Sequence, residues 1–179
     1  MAAPLTPSQT VGPFFGVGLP FEHGEELAGP GAAGVVRVEG QVFDGHGQAV
    51  HDALVEIWQA DGQGRYAMAP QGEVTGFGRC RTDAEGAFSF VTMKPGRTSA
   101  ADGRWQAPYL NITVFARGLL RHLVTRMYFP DEADANADDP VLNLVEPVRR
   151  PTLIAEHDGG VLRFDVRLQG DRETVFFAI

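Results

Sequence analysis

Arg126 and Tyr128 share one face of an otherwise apolar run, LVTRMYF at 123–129, and are the residues here best suited to recognising an anion. A guanidinium can clamp a planar carboxylate through two charge-assisted hydrogen bonds, but a core-edge ion pair with an acidic side chain accounts for Arg126 equally well. Both readings stand on sequence alone. Cys80 lies between Arg79 and Arg81, whose charges favour a thiolate, yet strand alternation turns both arginines to the opposite face and the thiol reads as structural. Asp83 and Glu85 sit in a turn, where aspartate satisfies its own backbone rather than serving an acid–base pair in a cleft. His23, His46, His51, His122 and His157 form no H-x-H or H-x-x-x-H pair, and the glycine-rich segments lack phosphate or dinucleotide fingerprints. The acidic run DEADANADDP has no calcium-loop spacing and reads as surface.

The elements that must position these side chains follow a period of two. In QAPYLNITVFARGLLRHLVTRMYF, residues 106–129, one run sets Leu110, Ile112, Val114 and Ala116 against Asn111, Thr113 and Phe115. The other sets Leu123, Thr125, Met127 and Phe129 against Val124, Arg126 and Tyr128, so function is expected on the polar faces. Upstream, Val36, Val38, Gly40 and Val42 share a face, DGHG at 44–47 supplies turn residues, and VHDALVEIW returns as the second arm of a hairpin. Phe88 and Phe90 line one side of a strand that Lys94-Pro95-Gly96 ends by removing a ladder donor and admitting positive φ. DEADANADDP allows one helical turn closed by a solvated ADDP, and Leu162, Phe164, Val166 and Leu168 point inward from a late strand.

Short strands between turn-rich loops predict an all-β fold, a two-layer antiparallel β-sandwich over residues 35–179. Long irregular loops at 61–78 and 97–108 could wall a cleft at one end of it. Residues 1–34 read as an extended arm. Its Val11, Phe14, Phe15, Val17, Leu19 and Phe21 give it a reason to lie against its own domain or a partner. With 179 residues, one domain is expected. A net charge of −8, with no basic run interleaved with aromatics, argues against nucleic-acid binding. A single cysteine rules out an internal disulfide and suits a reducing, cytoplasmic setting; no apolar run reaches the length of a membrane span.

PSQTVGPFF at 7–15, GQVFDGHGQAV at 40–50, LVEIWQADGQGRY at 54–66, FGRCRTDAEGAFSFVTMKPG at 77–96, APYLNITVFARGLLRHLVTRMYF at 107–129 and NLVEPVRRPTLIA through RFDVRLQGDRETVFFAI at the C-terminus carry a resemblance. In this order and spacing they resemble the intradiol ring-cleaving dioxygenases, and within them the alpha half of the enzymes built from paired alpha and beta subunits. The resemblance implies a sandwich fold and, for the complex, a non-haem Fe(III) that uses O2 to cleave protocatechuate to 3-carboxy-cis,cis-muconate. It implies a beta subunit as partner, with the iron on beta and none in this chain.

Two tyrosines and two histidines hold iron in such enzymes. Tyr66 stands at the first tyrosine position; Thr98 matches the second, Tyr109 and Asn111 match the histidines, and Gln106 matches an arginine that usually precedes them. Hydroxyl and amide are weak donors to a hard ferric ion, so the resemblance implies a vestigial pocket filled by Tyr66, Tyr109 and their neighbours. It also implies that Gly12, Pro13 and Arg126 enter the substrate environment of the partner's site, with no catalytic group in this chain alone. The alternative is a purely structural subunit with no pocket contribution.

Overall fold

The computed structural model describes residues 10–12, 14–29, 32–66 and 76–178. In chain order its strands are β1 (Val35–Phe43), β2 (Leu54–Trp58), β3 (Phe77–Arg81), β4 (Ala87–Met93), β5 (Thr98–Ser99), β6 (Trp105–Gln106), β7 (Tyr109–Phe115), β8 (Leu123–Tyr128), β9 (Glu156–Asp158), β10 (Val161–Arg163) and β11 (Val166–Arg167). One antiparallel sheet runs β3-β2-β7-β8. The other is centred on β1, which pairs antiparallel with β4 on one side and parallel with β10 and β11 on the other. The pairings are mostly antiparallel, as expected, and the parallel ones are β1 with β10 and β1 with β11.

Alternation places the apolar sets as the sequence implies. Val38, Val42, Phe88, Phe90, Leu162, Phe164 and Val166 from the β1 sheet meet Val55, Ile57, Leu110, Ile112, Val114 and Met127 from the β7 sheet in one core. Burial of these faces is the main force holding the two layers together.

The expected β1–β2 hairpin does not form. Asp44 and Gly47 do make the turn, with the Asp44 carboxylate accepting from the amides of His46 and Gln48. Beyond Val50, however, the chain crosses to the other sheet. The edge of β1 is taken instead by β4, from Val35↔Met93 to Gln41↔Ala87. A turn signal fixes a reversal, not the partner, and β4 offers Phe88 and Phe90 to the core side of that ladder.

The segment after β8 carries a second correction. Helix α2 covers Ala133–Asp138, as one helical turn was expected to, but ADDP is solvated only in its first half: Ala137 and Asp138 are exposed, whereas Pro140 is buried and Asp139 is 0% exposed. Ala135, Leu142, Val145 and Leu153 cover the outer face of β7 and β8 and form a second apolar cluster with Tyr109 and Tyr128. The face expected to be polar is thus roofed by residues 133–153.

The arm divides in two. Its later part is tied to the protein: Leu27 is buried, the amides of Leu27 and Ala28 donate to the Val91 carbonyl, and Val91 donates back to Glu25. Its earlier part holds a short helix α1 (Phe15–Gly18) with Phe15 buried, while Phe14 and Val17 remain 80% and 75% exposed.

Candidate functional site

β7 and β8 pair in the register Asn111↔Arg126 and Tyr109↔Tyr128, which puts these four side chains on the outer face together. The short β5–β6 ribbon pairs Thr98 with Gln106 just before β7 begins. The loop after β2 delivers Tyr66 to the same place. Its path depends on Gly64, whose φ is +76° and whose missing side chain leaves room for the Arg97 carbonyl. Gly96 serves that packing too, since a Cβ there would lie 2.6 Å from the Gly62 carbonyl oxygen. Its φ is not positive, so Lys94-Pro95-Gly96 contributes close approach rather than the left-handed turn expected.

The side chains so gathered satisfy one another. The Tyr66 hydroxyl donates to the Tyr109 hydroxyl at 3.0 Å and accepts from the Asn111 amide at 3.1 Å. Trp58, the β2 register partner of Asn111, stacks on the Tyr66 ring at 5.9 Å between centroids. The Arg126 guanidinium lies 3.8 Å from the centroid of the Tyr109 ring, donates to the Gln106 side-chain oxygen at 2.8 Å and reaches the Tyr128 hydroxyl at 3.4 Å. Gln106 in turn donates to Thr98 Oγ1 at 3.3 Å.

Behind them sits the Asp139 carboxylate. It accepts the Tyr128 hydroxyl at 3.1 Å and the backbone amides of Ala107, Val141 and Leu142 at 2.7–2.8 Å. Burial pushes the Tyr66 and Tyr128 phenols above their usual range; for Tyr66 the bond to Tyr109 adds to this, and the Arg126 charge opposes it in both. Both are neutral phenols near pH 7.

The positions named from the sequence are thus brought into one network: Tyr109, Asn111 and Gln106 adjoin Arg126, Tyr66 joins through Tyr109 and Asn111, and Thr98 joins through Gln106. Gly12 lies elsewhere. It is exposed, and its neighbours Thr10 and Val11 line a groove with Phe115, Leu120, Leu123 and Phe177 beside the β7–β8 turn. Pro13 lies outside the described residues, as do residues 67–75 of the long loop. Cys80 behaves as expected: it is partly buried against the core, burial raises its thiol, and Arg79 turns away to pair with Glu56 at 2.5 Å. Sequence reasoning missed Asp139. An aspartate before a proline in an acidic run looks like surface, and only the roof over β7 and β8 buries it.

A family model described as Dioxygenase matches residues 11–170. The chain belongs to the intradiol dioxygenase family. It is 48% identical to the protocatechuate 3,4-dioxygenase alpha chain of Burkholderia cepacia, with 97% of each chain covered. To the protocatechuate 3,4-dioxygenase beta chain of that organism it is 35% identical over 75% of this chain and 64% of the other. Among solved structures, the dioxygenase domain of a carbohydrate-binding fusion protein from Streptomyces sp. SirexAA-E superposes with a TM-score of 0.62 at 25% identity, covering 84% and 88% of the two chains.

Intradiol dioxygenases are non-haem iron enzymes, and the residues of this pocket do not fit that metal. Thr98 offers a hydroxyl and Asn111 an amide whose nitrogen donates to Tyr66, while burial holds Tyr66 as a phenol. No cluster of three or more histidine, cysteine, aspartate or glutamate side chains suited to a metal occurs among the described residues. No helix among them is long and apolar enough to cross a membrane.

Proposed function

We propose that this chain is the alpha subunit of a protocatechuate 3,4-dioxygenase, and that an iron-bearing beta subunit completes the enzyme. The 48% identity to an alpha chain along nearly the whole length is the observation that carries this reading. The pocket supports it, since its donors suit mutual hydrogen bonding rather than a ferric ion. The complex cleaves protocatechuate with O2 between its hydroxylated carbons, and the chemistry at iron takes place on beta.

The part of this chain offered to the shared site is its arm. Gly12 is exposed and Phe14 and Val17 present apolar side chains that its own domain leaves uncovered. In this reading Gly12 permits close backbone approach, and Pro13 stiffens the arm and supplies an apolar wall. Arg126 belongs to the same expectation through its positive potential near the substrate carboxylate. Its guanidinium is already stacked and hydrogen-bonded within its own chain, an observation that favours a structural part for that residue.

Coexpression with a beta-type chain tests the proposal. The two are expected to copurify with iron and to consume O2 with protocatechuate, while this chain alone does neither and self-associates. Iron-dependent ring cleavage by this chain in the absence of any second subunit would overturn it. A complex whose turnover and substrate affinity are indifferent to Gly12→Ala and Pro13→Ala would leave this chain as a structural partner only.

A further inference from the structure

The positions matched to metal ligands surround a charged group that belongs to the protein. We infer that the Arg126 guanidinium is the resident cation of this pocket, standing among Tyr66, Tyr109, Asn111 and Gln106 where a metal would go, and that it excludes ferric iron independently of the replaced ligands. The inference rests on family membership and the observed geometry, not on the subunit proposal, so either can fail without the other.

The guanidinium is fixed on several sides. It stacks on Tyr109 at 3.8 Å, bonds Gln106 at 2.8 Å and is rooted opposite Asn111 in the middle of the β7–β8 ladder. No carboxylate pairs with it directly among the described residues. The nearest compensation runs through the Tyr128 hydroxyl to Asp139, whose buried carboxylate is itself fixed by three backbone amides. To leave, the side chain must give up the ring contact and the Gln106 bond together. A trivalent ion entering beside it meets a like charge in a site of restricted solvation, where such repulsion is far stronger than in water.

The surrounding donors point the same way. Asn111 spends its N–H on Tyr66, Tyr66 spends its O–H on Tyr109, and Gln106 uses its oxygen on Arg126 and its nitrogen on Thr98. This is the arrangement of a closed polar network around a cation, and restoring ligand types alone leaves that cation in place.

The test takes the full chain, purified with whatever partner it retains, and uses ferric iron as the probe. Bound iron above that of the parent protein, and tyrosinate-to-iron colour, are read for each variant. In a background carrying Thr98→Tyr, Tyr109→His and Asn111→His, retaining Arg126 is expected to leave uptake at the parent level. Adding Arg126→Gln is expected to tighten ferric binding by about 100-fold or more, whereas Arg126→Lys, which keeps the charge, does not. Circular dichroism and assembly state report folding. Should that background not fold, the Gln and Lys variants of Arg126 are compared in the lighter Thr98→Tyr, Asn111→His background, which keeps Tyr66 and Tyr109 and supplies an imidazole, with the same difference in ferric uptake expected. Iron uptake with Arg126 retained in the restored background overturns the inference. So does equal uptake by the Gln and Lys variants, or no gain from a folded Arg126→Gln chain in the background compared.

Discussion

Arg126 lies over the face of Tyr109, with its guanidinium carbon 3.8 Å from the ring centroid, although the two residues come from neighbouring strands and are not register partners. The contact is diagonal across the β7–β8 ladder and ties the side chain to the ring rather than to solvent. A double-mutant cycle of Arg126→Ala with Tyr109→Leu is expected to give a coupling of about 1–2 kcal/mol by denaturant unfolding, the range for a partly desolvated cation–π pair. A coupling indistinguishable from zero would mean that the stacked geometry contributes nothing to the fold.

Asp139 joins three pieces of chain: the link between β6 and β7 through Ala107, the end of β8 through Tyr128, and the turn at Val141 and Leu142. Asp139→Ala strands these donors in a buried site and is expected to destabilise the protein by about 3–5 kcal/mol. Thermal unfolding measures this directly. Asp138→Ala, at the exposed neighbouring carboxylate, should leave the melting temperature nearly unchanged.

The buried phenols predict an alkaline limit. Burial raises Tyr66 and Tyr128 above their ordinary value of 10.0, so the unfolded chain loses these protons first as pH rises. Their contribution is therefore fully present below pH 10.0 and is lost progressively above it. Tyr66→Phe removes one such group, and the fall in stability above that pH should be shallower than in the parent. An identical alkaline slope would show that Tyr66 does not titrate as a buried phenol.

Arg79 secures the inner half of the arm. Its amide donates to the Gly24 carbonyl at 2.7 Å, its guanidinium donates to the Leu19 carbonyl at 2.6 Å, and the same group lies over Phe21 and Phe77 while paired with Glu56. Arg79→Ala leaves the half-sequestered Glu56 carboxylate unpaired, at an expected loss of about 2 kcal/mol. More specifically, cleavage by limited proteolysis should appear between Leu19 and Gly24 while the sheets remain protected. Unchanged protection there would mean that the arm is held by Leu27 and β4 alone.

Period-two alternation by itself determined the inner faces of the strands. Val38 with Val42, Phe88 with Phe90, and Leu110 with Ile112 and Val114 are buried as their spacing requires, because a strand presents alternate residues to one side whatever it pairs with. Residue chemistry likewise determined that Thr98 and Asn111 are poor ferric donors. The tertiary structure alone decided which strands pair, sending β1 to β4 rather than β2, since a turn sets a reversal but long-range packing selects the partner. It also decided that Asp139 and Tyr128 are buried, because residues 133–153 fold back over a face whose local pattern reads as solvent-exposed. The surroundings of Arg126 were decided there too: Gln106 arrives on the β5–β6 ribbon and Tyr66 on the loop after β2, and no local spacing records where the two converge.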